Sequence, residues 1–235
     1  MVAKNRLLAA LPKSERDRIL PSLEIVPLKL KQYLQKPGET TRHVYFPGGG
    51  FCSLVTVLED GDMVEVATIG REGAVGLNAA LDGAPMPAAV MVQGETDACY
   101  RMSANIFRRE MAKRTAFHEL ITRYQQALVG FIMQSTACNA VHTVEQRLAR
   151  WLLLAHDRME ADEFPLTQEF AAMMLGATRP TVSLVSATLQ KAGLITYHRG
   201  RVKVLNRRGL EKASCECYRA VISLLKSVPP PAAKR

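Results

Sequence analysis

No apolar run in this chain of 235 residues reaches the roughly 18 residues that a membrane-spanning helix needs. The N-terminus carries basic Lys4 and Arg6, but no uninterrupted apolar stretch or small-residue cleavage site follows them, so the expected location is cytoplasmic with no membrane partner. Cysteine is scarce. Cys52, Cys99, Cys138, Cys215 and Cys217 are an odd number and mostly far apart, unlike a secreted disulfide framework or a zinc site built from two close pairs. Reduced thiols follow, with no metal or other cofactor expected. Acidic residues are thin toward the C-terminus: residues 141–235 carry 15 basic and 8 acidic side chains, whereas residues 1–140 carry 16 and 14. Of the net charge of +9, most therefore sits in the last two-fifths of the chain. An asymmetry of this kind points to a polyanionic partner and says nothing about fold. A hydrophobic fraction of 48% is that of a globular protein, not a disordered one.

From about Leu28 to Tyr100, short apolar or alternating segments are punctuated by turn residues. Leu28-Lys29-Leu30, Val44-Tyr45-Phe46, Phe51 to Leu58, Val64 to Ile69, Ala88 to Val92 and Ala98 to Met102 read as strands, divided by Pro37-Gly38, Pro47 to Gly50 and Asp60-Gly61-Asp62. Strands this short predict a β-sandwich or barrel. A short lead-in helix is expected over Pro12 to Leu23. From Ser103 to Arg158 proline disappears and Gly130 is the sole glycine, which predicts helix with one or two breaks. Within it Phe117, Ile121, Tyr124, Leu128, Phe131, Ser135, Cys138 and His142 recur at heptad spacing. Such a stripe is either a core face of the same chain or a seam against a second copy, with its packed part in the first half.

The last third has the sharpest pattern. Thr167 stands where a hydroxyl N-caps a helix from Glu169 to Leu175, Gly176-Ala177 breaks it, and Thr178 caps a second helix from Arg179 to about Ala192. Pro180 is acceptable in that first turn, where an amide has no helical acceptor. Two short helices joined this way form a helix-turn-helix. After Gly193, Leu194 to His198 and Arg201 to Leu205 flank the turn Arg199-Gly200 and read as a β-hairpin wing.

With these parts in this order, the chain resembles the Crp/Fnr family of bacterial transcription regulators over nearly its whole length. The resemblance is carried by Val144-Glu145-Gln146-Arg147-Leu148-Ala149-Arg150-Trp151-Leu152-Leu153, by Leu166 to Ser183 ending in Thr178-Arg179-Pro180-Thr181-Val182-Ser183, and by Ala192-Gly193-Leu194-Ile195. It implies an α+β architecture. Residues 1–115 would form a β-roll sensory domain of jelly-roll, cyclic-nucleotide-binding-like type, residues 116–142 a long dimerisation helix, and residues 143–235 a winged helix-turn-helix domain. Phe117, Ile121, Tyr124, Leu128 and Phe131 would then form the dimer interface. Double-stranded DNA, a second copy of the chain and RNA polymerase are the implied partners. Arg179, at the start of the recognition helix, can donate a bidentate pair to guanine O6 and N7. Thr178, Thr181 and Ser183 are short donors beside it, Thr167 and Gln168 match the family's backbone contacts, and His198, Arg199 and Arg201 lie in the wing where the family touches phosphate.

Departures from the family pattern carry information. Many members have an acidic residue directly after that arginine and a second arginine one turn on; here Pro180 and Leu184 occupy those positions, so the preferred half-site should differ. Cyclic-nucleotide-binding members hold the ribose and phosphate with a Gly-Glu pair and an Arg-Ser or Arg-Thr pair. An ungapped alignment places Gly76-Leu77 and Pro87-Ala88 there, and the long-helix hydroxyls that meet the purine align with Ile132 and Met133. Carboxylate, cation and hydroxyls are missing together, which argues against cyclic AMP or cyclic GMP. Arg71-Glu72 precede the cradle and read as a turn.

The iron-sulfur branch needs N-terminal cysteines, and none precedes Cys52. A cupin-type metalloenzyme needs several histidines in the roll, but His43 is the sole one before His118. His43, Cys52 and Cys99 read as core residues rather than haem ligands. Cys215 and Cys217, two apart on an expected helix from Leu210 to Val228, would point to different faces and make poor co-ligands. Pro229 to Pro231 should end that helix before a loose tail. An unidentified apolar or mixed effector and control by abundance alone both remain open. No paired carboxylates, nucleophile-base set or metal cluster supports an enzyme. A nonspecific nucleic-acid binder is the remaining class, distinguishable by steep salt dependence without sequence preference.

Overall fold

The computed structural model describes residues 4–81 and 84–228, so the expected proline stop and tail lie outside the described residues. Asn5 fixes the start. Its Oδ1 accepts from the N–H groups of Leu7 (3.0 Å) and Leu8 (3.2 Å), capping α1 (Arg6–Ala10), a helix the sequence did not signal. Its Nδ2 donates to the carbonyls of Pro47 and Gly73 at 2.9 and 2.8 Å, so one fully buried amide ties the N-terminal helix to a strand end and a loop of the roll. The expected lead-in helix is α2 (Lys13–Ile19).

Seven strands build the roll among the described residues: β1 (Glu24–Leu28), β2 (Tyr33–Gln35), β3 (His43–Pro47), β4 (Phe51–Val57), β5 (Met63–Ile69), β6 (Ala88–Gly94) and β7 (Thr96–Ser103). They pair antiparallel in two sheets, β1-β7-β3 and β2-β6-β4-β5. β4 reads as a nearly unbroken apolar run because both of its faces are covered. Phe51, on its first residue, meets Trp151 of the C-terminal half edge-on, with ring centroids 6.0 Å apart.

The proline-free stretch forms three helices. Ser103 caps α3 (Ala104–Ala112) by accepting from Ile106 N–H. α4 (Ala116–Val141) is unbroken through Gly130, where Leu224 approaches so closely that an added Cβ would meet its methyl carbon at 3.3 Å. Thr143 and Gln146 form a reciprocal capping box that starts α5 (Val144–Met159) immediately after α4 ends.

The heptad stripe lies inside this chain. Phe117, Ile121, Tyr124 and Phe131 are each 1% exposed and Leu128 is half-buried, packed against the roll and the C-terminal helices. Tyr124 lies directly over Gly73, where any Cβ would overlap its hydroxyl. Phe117, Ile121, Tyr124 and Phe131 therefore have no apolar surface left to offer the second copy that the resemblance implied, whereas half-buried Leu128 keeps some. A second heptad stripe, Thr122, Gln126, Val129, Met133, Thr136 and Ala140, stays exposed on α4, with Val129 at 55% and Met133 at 67%.

The C-terminal half adds β8 (Glu163–Pro165), α6 (Gln168–Leu175), α7 (Arg179–Lys191), β9 (Ile195–His198), β10 (Arg201–Val204), α8 (Arg207–Ala213) and α9 (Cys217–Lys226). β8 joins the hairpin as a third strand in the order β8-β10-β9. The expected single terminal helix is two, because the chain leaves helical geometry at Ser214 and Cys215. No helix among the described residues is long and apolar enough to cross a membrane.

The two halves are joined by buried charge. Arg158 at the end of α5 donates to Glu72 at 2.6 Å, to the Leu154 carbonyl at 2.8 Å and to the Thr68 carbonyl at 3.3 Å, and its side chain is 3% exposed. Arg71 pairs with Glu160 alongside. The Arg71-Glu72 turn is therefore a junction between halves, a role the sequence did not reveal.

Glu65 on β5 is a second buried carboxyl, hydrogen-bonded by the Ser53 hydroxyl. Burial pushes it up from 4.5 to about 7, against the pull of that hydrogen bond and of Arg150 and Arg158. Between these two values the folded chain holds a proton that the unfolded chain has lost, so stability falls as pH rises through the window. Above it, a penalty on the order of 3 kcal/mol persists. Glu65→Gln should flatten this decline and raise the unfolding temperature at pH 8 more than at pH 5. An unchanged slope in thermal unfolding across that range would contradict the assignment.

Candidate nucleic-acid interface

The helix-turn-helix is built by local capping. Thr167 Oγ1 accepts from Phe170 N–H at 3.1 Å and opens α6, Gly176 ends it at φ +54°, and Thr178 Oγ1 accepts from Thr181 N–H and opens α7. Gly176 needs no Cβ for a second reason, since Val64 of β5 would meet it at 3.2 Å. The turn between the two helices thus rests on the roll, and α6 packs against β5.

Arg179 and Pro180 begin α7 exposed, and Leu184 one turn on is 71% exposed. Their helix turns its other face inward through Val182, Ser186 and Leu189, all buried. The short donors are less available than their chemistry suggests. Thr181 and Thr178 share a hydroxyl contact at 2.8 Å, and the Ser183 hydroxyl donates to Gln168 Oε1 at 2.5 Å. The latter bond crosses from α7 to α6 and fixes both side chains at the start of the two helices.

The wing is held to the same face. Its turn puts Arg199 at φ +46° and Gly200 at φ +74°, the pair of left-handed residues that a tight two-residue hairpin requires. Gly200 accepts from Leu166 N–H at 2.8 Å, and the Tyr197 hydroxyl donates to the Leu166 carbonyl at 2.5 Å, so the hairpin is tied to the residue preceding Thr167. His198 and Arg199 are exposed. Arg201 is exposed but already paired, its Nε 2.5 Å from Glu163 Oε1 on β8. That pair holds the Glu163 carboxyl below its ordinary range and is open to solvent, so a phosphate can compete for the guanidinium.

Of the eight basic residues between Arg179 and Lys212, Arg207 faces inward. It donates to Asp157 and to the Tyr218 hydroxyl at 2.7 and 2.6 Å and pairs with Glu211 at 3.0 Å, bracing α5 against α8 and α9. Its charge belongs to the scaffold. What remains at the surface is a cationic, hydroxyl-bearing face from which Leu184 projects. Such a face can neutralise phosphates, donate to base edges and cover a thymine methyl.

Between the roll and α4 lies a cavity of about 270 Å³. Gly76, Leu77 and Ile132 line it, as aligned. Pro87 and Ala88 do not, because Met86 and Val90 take those places on the wall, and Met133 points away on the exposed stripe. Among the described residues no charged side chain lines it. Three polar residues do that the alignment missed, Gln35, Asn78 and Gln125, and of these Gln35 Nε2 and Asn78 Oδ1 are buried without a hydrogen-bond partner. Their signal was hidden because β2 and the turn after Gly76 come together only in the fold.

Cys52 and Cys99 are core residues of the roll, and burial pushes both thiols up, Cys99 to about 12. Cys138, Cys215 and Cys217 instead converge. The break at Ser214 and Cys215 removes the helical geometry that would have separated the last two, so they do share a side. Cys215 is drawn well below the ordinary thiol range by its hydrogen bond with Cys138, which is pushed up in turn.

The architecture is thus that of a β-roll coupled by a long helix to a winged helix-turn-helix. Residues 25–114 match the model of the cyclic nucleotide-binding domain, and residues 146–213 match that of the Crp-like helix-turn-helix domain. With both domains in this order, the chain belongs to the Crp/Fnr family of transcription regulators. No curated protein matches it significantly. Among solved structures it is similar to a crp/fnr family protein from Eubacterium rectale, at 17% identity and TM-score 0.66, covering 89% of this chain and 98% of that one. TTHB099, a CRP-family regulator from Thermus thermophilus, aligns at 21% identity and TM-score 0.66 over 80% of this chain and 95% of its own. FixK2 from Bradyrhizobium japonicum aligns at 18% identity and TM-score 0.60 over 80% and 96%.

Arg179→Ala is expected to abolish preference at one base position, about 1 to 3 kcal/mol, while weak salt-sensitive binding survives. Leu184→Ala should weaken specific binding with little change in salt slope, since it removes an apolar contact. Fluorescence anisotropy on specific and random duplexes at several salt concentrations reads both; equal losses on the two duplexes would refute the assignments.

Proposed function

We propose that this chain is a sequence-specific transcription regulator that acts as a homodimer on a two-fold symmetric duplex. The observation that carries the reading is the exposed start of α7, where Arg179 and Leu184 project from a capped helix braced by a wing. In this reading Arg179 reads a guanine and Leu184 a thymine methyl. Thr167, Gln168, Thr178, Thr181, Ser183, His198, Arg199 and Arg201 then position the domain on phosphates or base edges. A symmetric site needs two recognition helices about one helical turn apart, roughly 34 Å. The exposed stripe of α4 supports the dimer, because Val129 and Met133 leave large apolar side chains in water at heptad spacing on a helix whose other face is already packed. The division into a sensory unit over 1–115, a coupling helix over 116–142 and a DNA-binding unit from 143 belongs to the same reading, as do a cytoplasmic location and contact with RNA polymerase.

The cavity favours a small effector over control by abundance alone. A buried amide nitrogen and a buried amide oxygen without partners are costly unless a ligand or water satisfies them. The complementary molecule is uncharged and largely apolar, with one acceptor and one donor, and the absence of a cation in the wall disfavours a nucleotide phosphate. To act, it must bind the DNA-competent dimer more tightly than the incompetent one.

Selection of bound duplexes from a random pool should return a two-fold symmetric motif; recovery of none would overturn the reading for the ligand-free protein. Met133→Glu should shift the chain to a monomer by sedimentation and lower affinity for the selected duplex at least tenfold. A dimer unchanged by Met133→Glu would remove α4 from the interface.

A further inference from the structure

Cys138 and His142, one helical turn apart at the end of α4, face Cys215 and Cys217, which flank the break between α8 and α9. The four potential ligand atoms, three Sγ and one imidazole nitrogen, lie within 4.8 Å of one another. Cys138 Sγ is 3.5 Å from Cys215 Sγ, and Cys217 Sγ is 3.6 Å from His142 Nδ1. We propose that these four side chains form a mononuclear site for a thiophilic divalent cation of the zinc class, at the hinge between the long helix and the DNA-binding half.

The geometry decides among occupants. A tetrahedral zinc with Zn–S of about 2.3 Å and Zn–N of about 2.0 Å has ligand-to-ligand edges of roughly 3.5 to 3.8 Å. Two of the edges already have that length, and the others close by about an ångström at most. A disulfide needs sulfurs about 2.05 Å apart, far shorter than the observed separation. Three thiolates and an imidazole form one of the ligand sets that hold structural zinc, whereas hard oxygen-seeking cations would find no oxygen donor here.

The surroundings fit as well. His142 offers Nδ1 to the cluster while its Nε2 lies 3.3 Å from Glu216 Oε1, the carboxylate-histidine arrangement that fixes a ligating imidazole. Gln134 Nε2 donates to Cys217 Sγ at 3.1 Å. Three thiolates, a neutral imidazole and a divalent cation sum to one negative charge, and the buried guanidiniums of Arg147 and Arg150 on α5 act on Cys138 across the cluster. Cys138, Cys215 and Cys217 are at most 4% exposed and His142 is half-buried, so the site is closed. Its ligands come from both sides of the hinge at His142 and Thr143, and a bound cation would clamp the end of α4 to the α8–α9 break. This site stands independently of the DNA reading.

The test uses the full chain, reduced and stripped of metal with a chelator, with free thiols confirmed by titration. Co²⁺ should bind at one ion per chain, giving the intense visible absorption of tetrahedral thiolate-bound cobalt, and Zn²⁺ should displace it and raise the unfolding temperature. Glu216→Gln, whose side chain is exposed and leaves the fold alone, should weaken Zn²⁺ binding about 10- to 100-fold. Cys217→Ser should abolish the cobalt spectrum; if that variant does not fold, the wild-type titration and Glu216→Gln decide. No tetrahedral cobalt spectrum from the reduced wild type, an unaltered spectrum in folded Cys217→Ser, or a Cys138–Cys215 disulfide formed in preference to metal uptake would each overturn the proposal.

Discussion

The packing of one face of α4 is the constraint from which the rest follows. A helix has a period of 3.6 residues, so committing Phe117, Ile121, Tyr124 and Phe131 to the interior of the chain fixes what every other side of the helix can do. The flank bearing Ile132 becomes one wall of the roll cavity, Gly130 admits Leu224 of α9, Val129 stands half in water at the cavity edge, and Met133 faces water. Roll cavity, terminal helices and outer stripe therefore all adjoin the same helix. A shift or rotation of α4 relative to the roll would be felt by all three together, which gives an occupant of the cavity a mechanical route to the other two.

Much of the fold was legible in local chemistry. Thr167, Gly176 and Thr178 marked the helix-turn-helix because capping hydroxyls and a left-handed glycine are short-range requirements, and Arg199-Gly200 marked the hairpin for the same reason. The strand-like segments of the roll were equally readable, whereas the break at His142 and the Thr143 cap of α5 were not placed within the helical stretch. What could not be read was which of two heptad stripes on α4 meets the chain's own core. Both have the spacing, and the aromatic one attracted the dimer assignment, although large aromatics are also what a core recruits. Gln35 and Asn78 escaped an ungapped alignment because they reach the cavity from elements distant in sequence. The cysteine cluster escaped because a helix was expected to run through Ser214 and Cys215, where it breaks.

The charge that first suggested a polyanionic partner divides in the structure. Arg207 and Arg158 are structural, buried or half-buried among carboxylates and carbonyls, whereas Arg179 and Arg199 project from the winged face. Counting cations in sequence therefore overstates what is available to a phosphate backbone. The contribution of Leu184 has a different character. Apolar contact depends little on counterion release, so in the proposed reading Leu184 would contribute to discrimination between sites where added salt weakens the phosphate contacts.

The ion pair of Arg158 and Glu72 has a consequence for how the molecule can move. Two charges held together away from water are costly to separate: opened slightly, each loses its charged partner before water can replace it, keeping only bonds to backbone groups. The joint between the roll and the C-terminal half should accordingly resist small displacements, since sliding α5 along the roll would strip Arg158 of Glu72 and of the Thr68 carbonyl together.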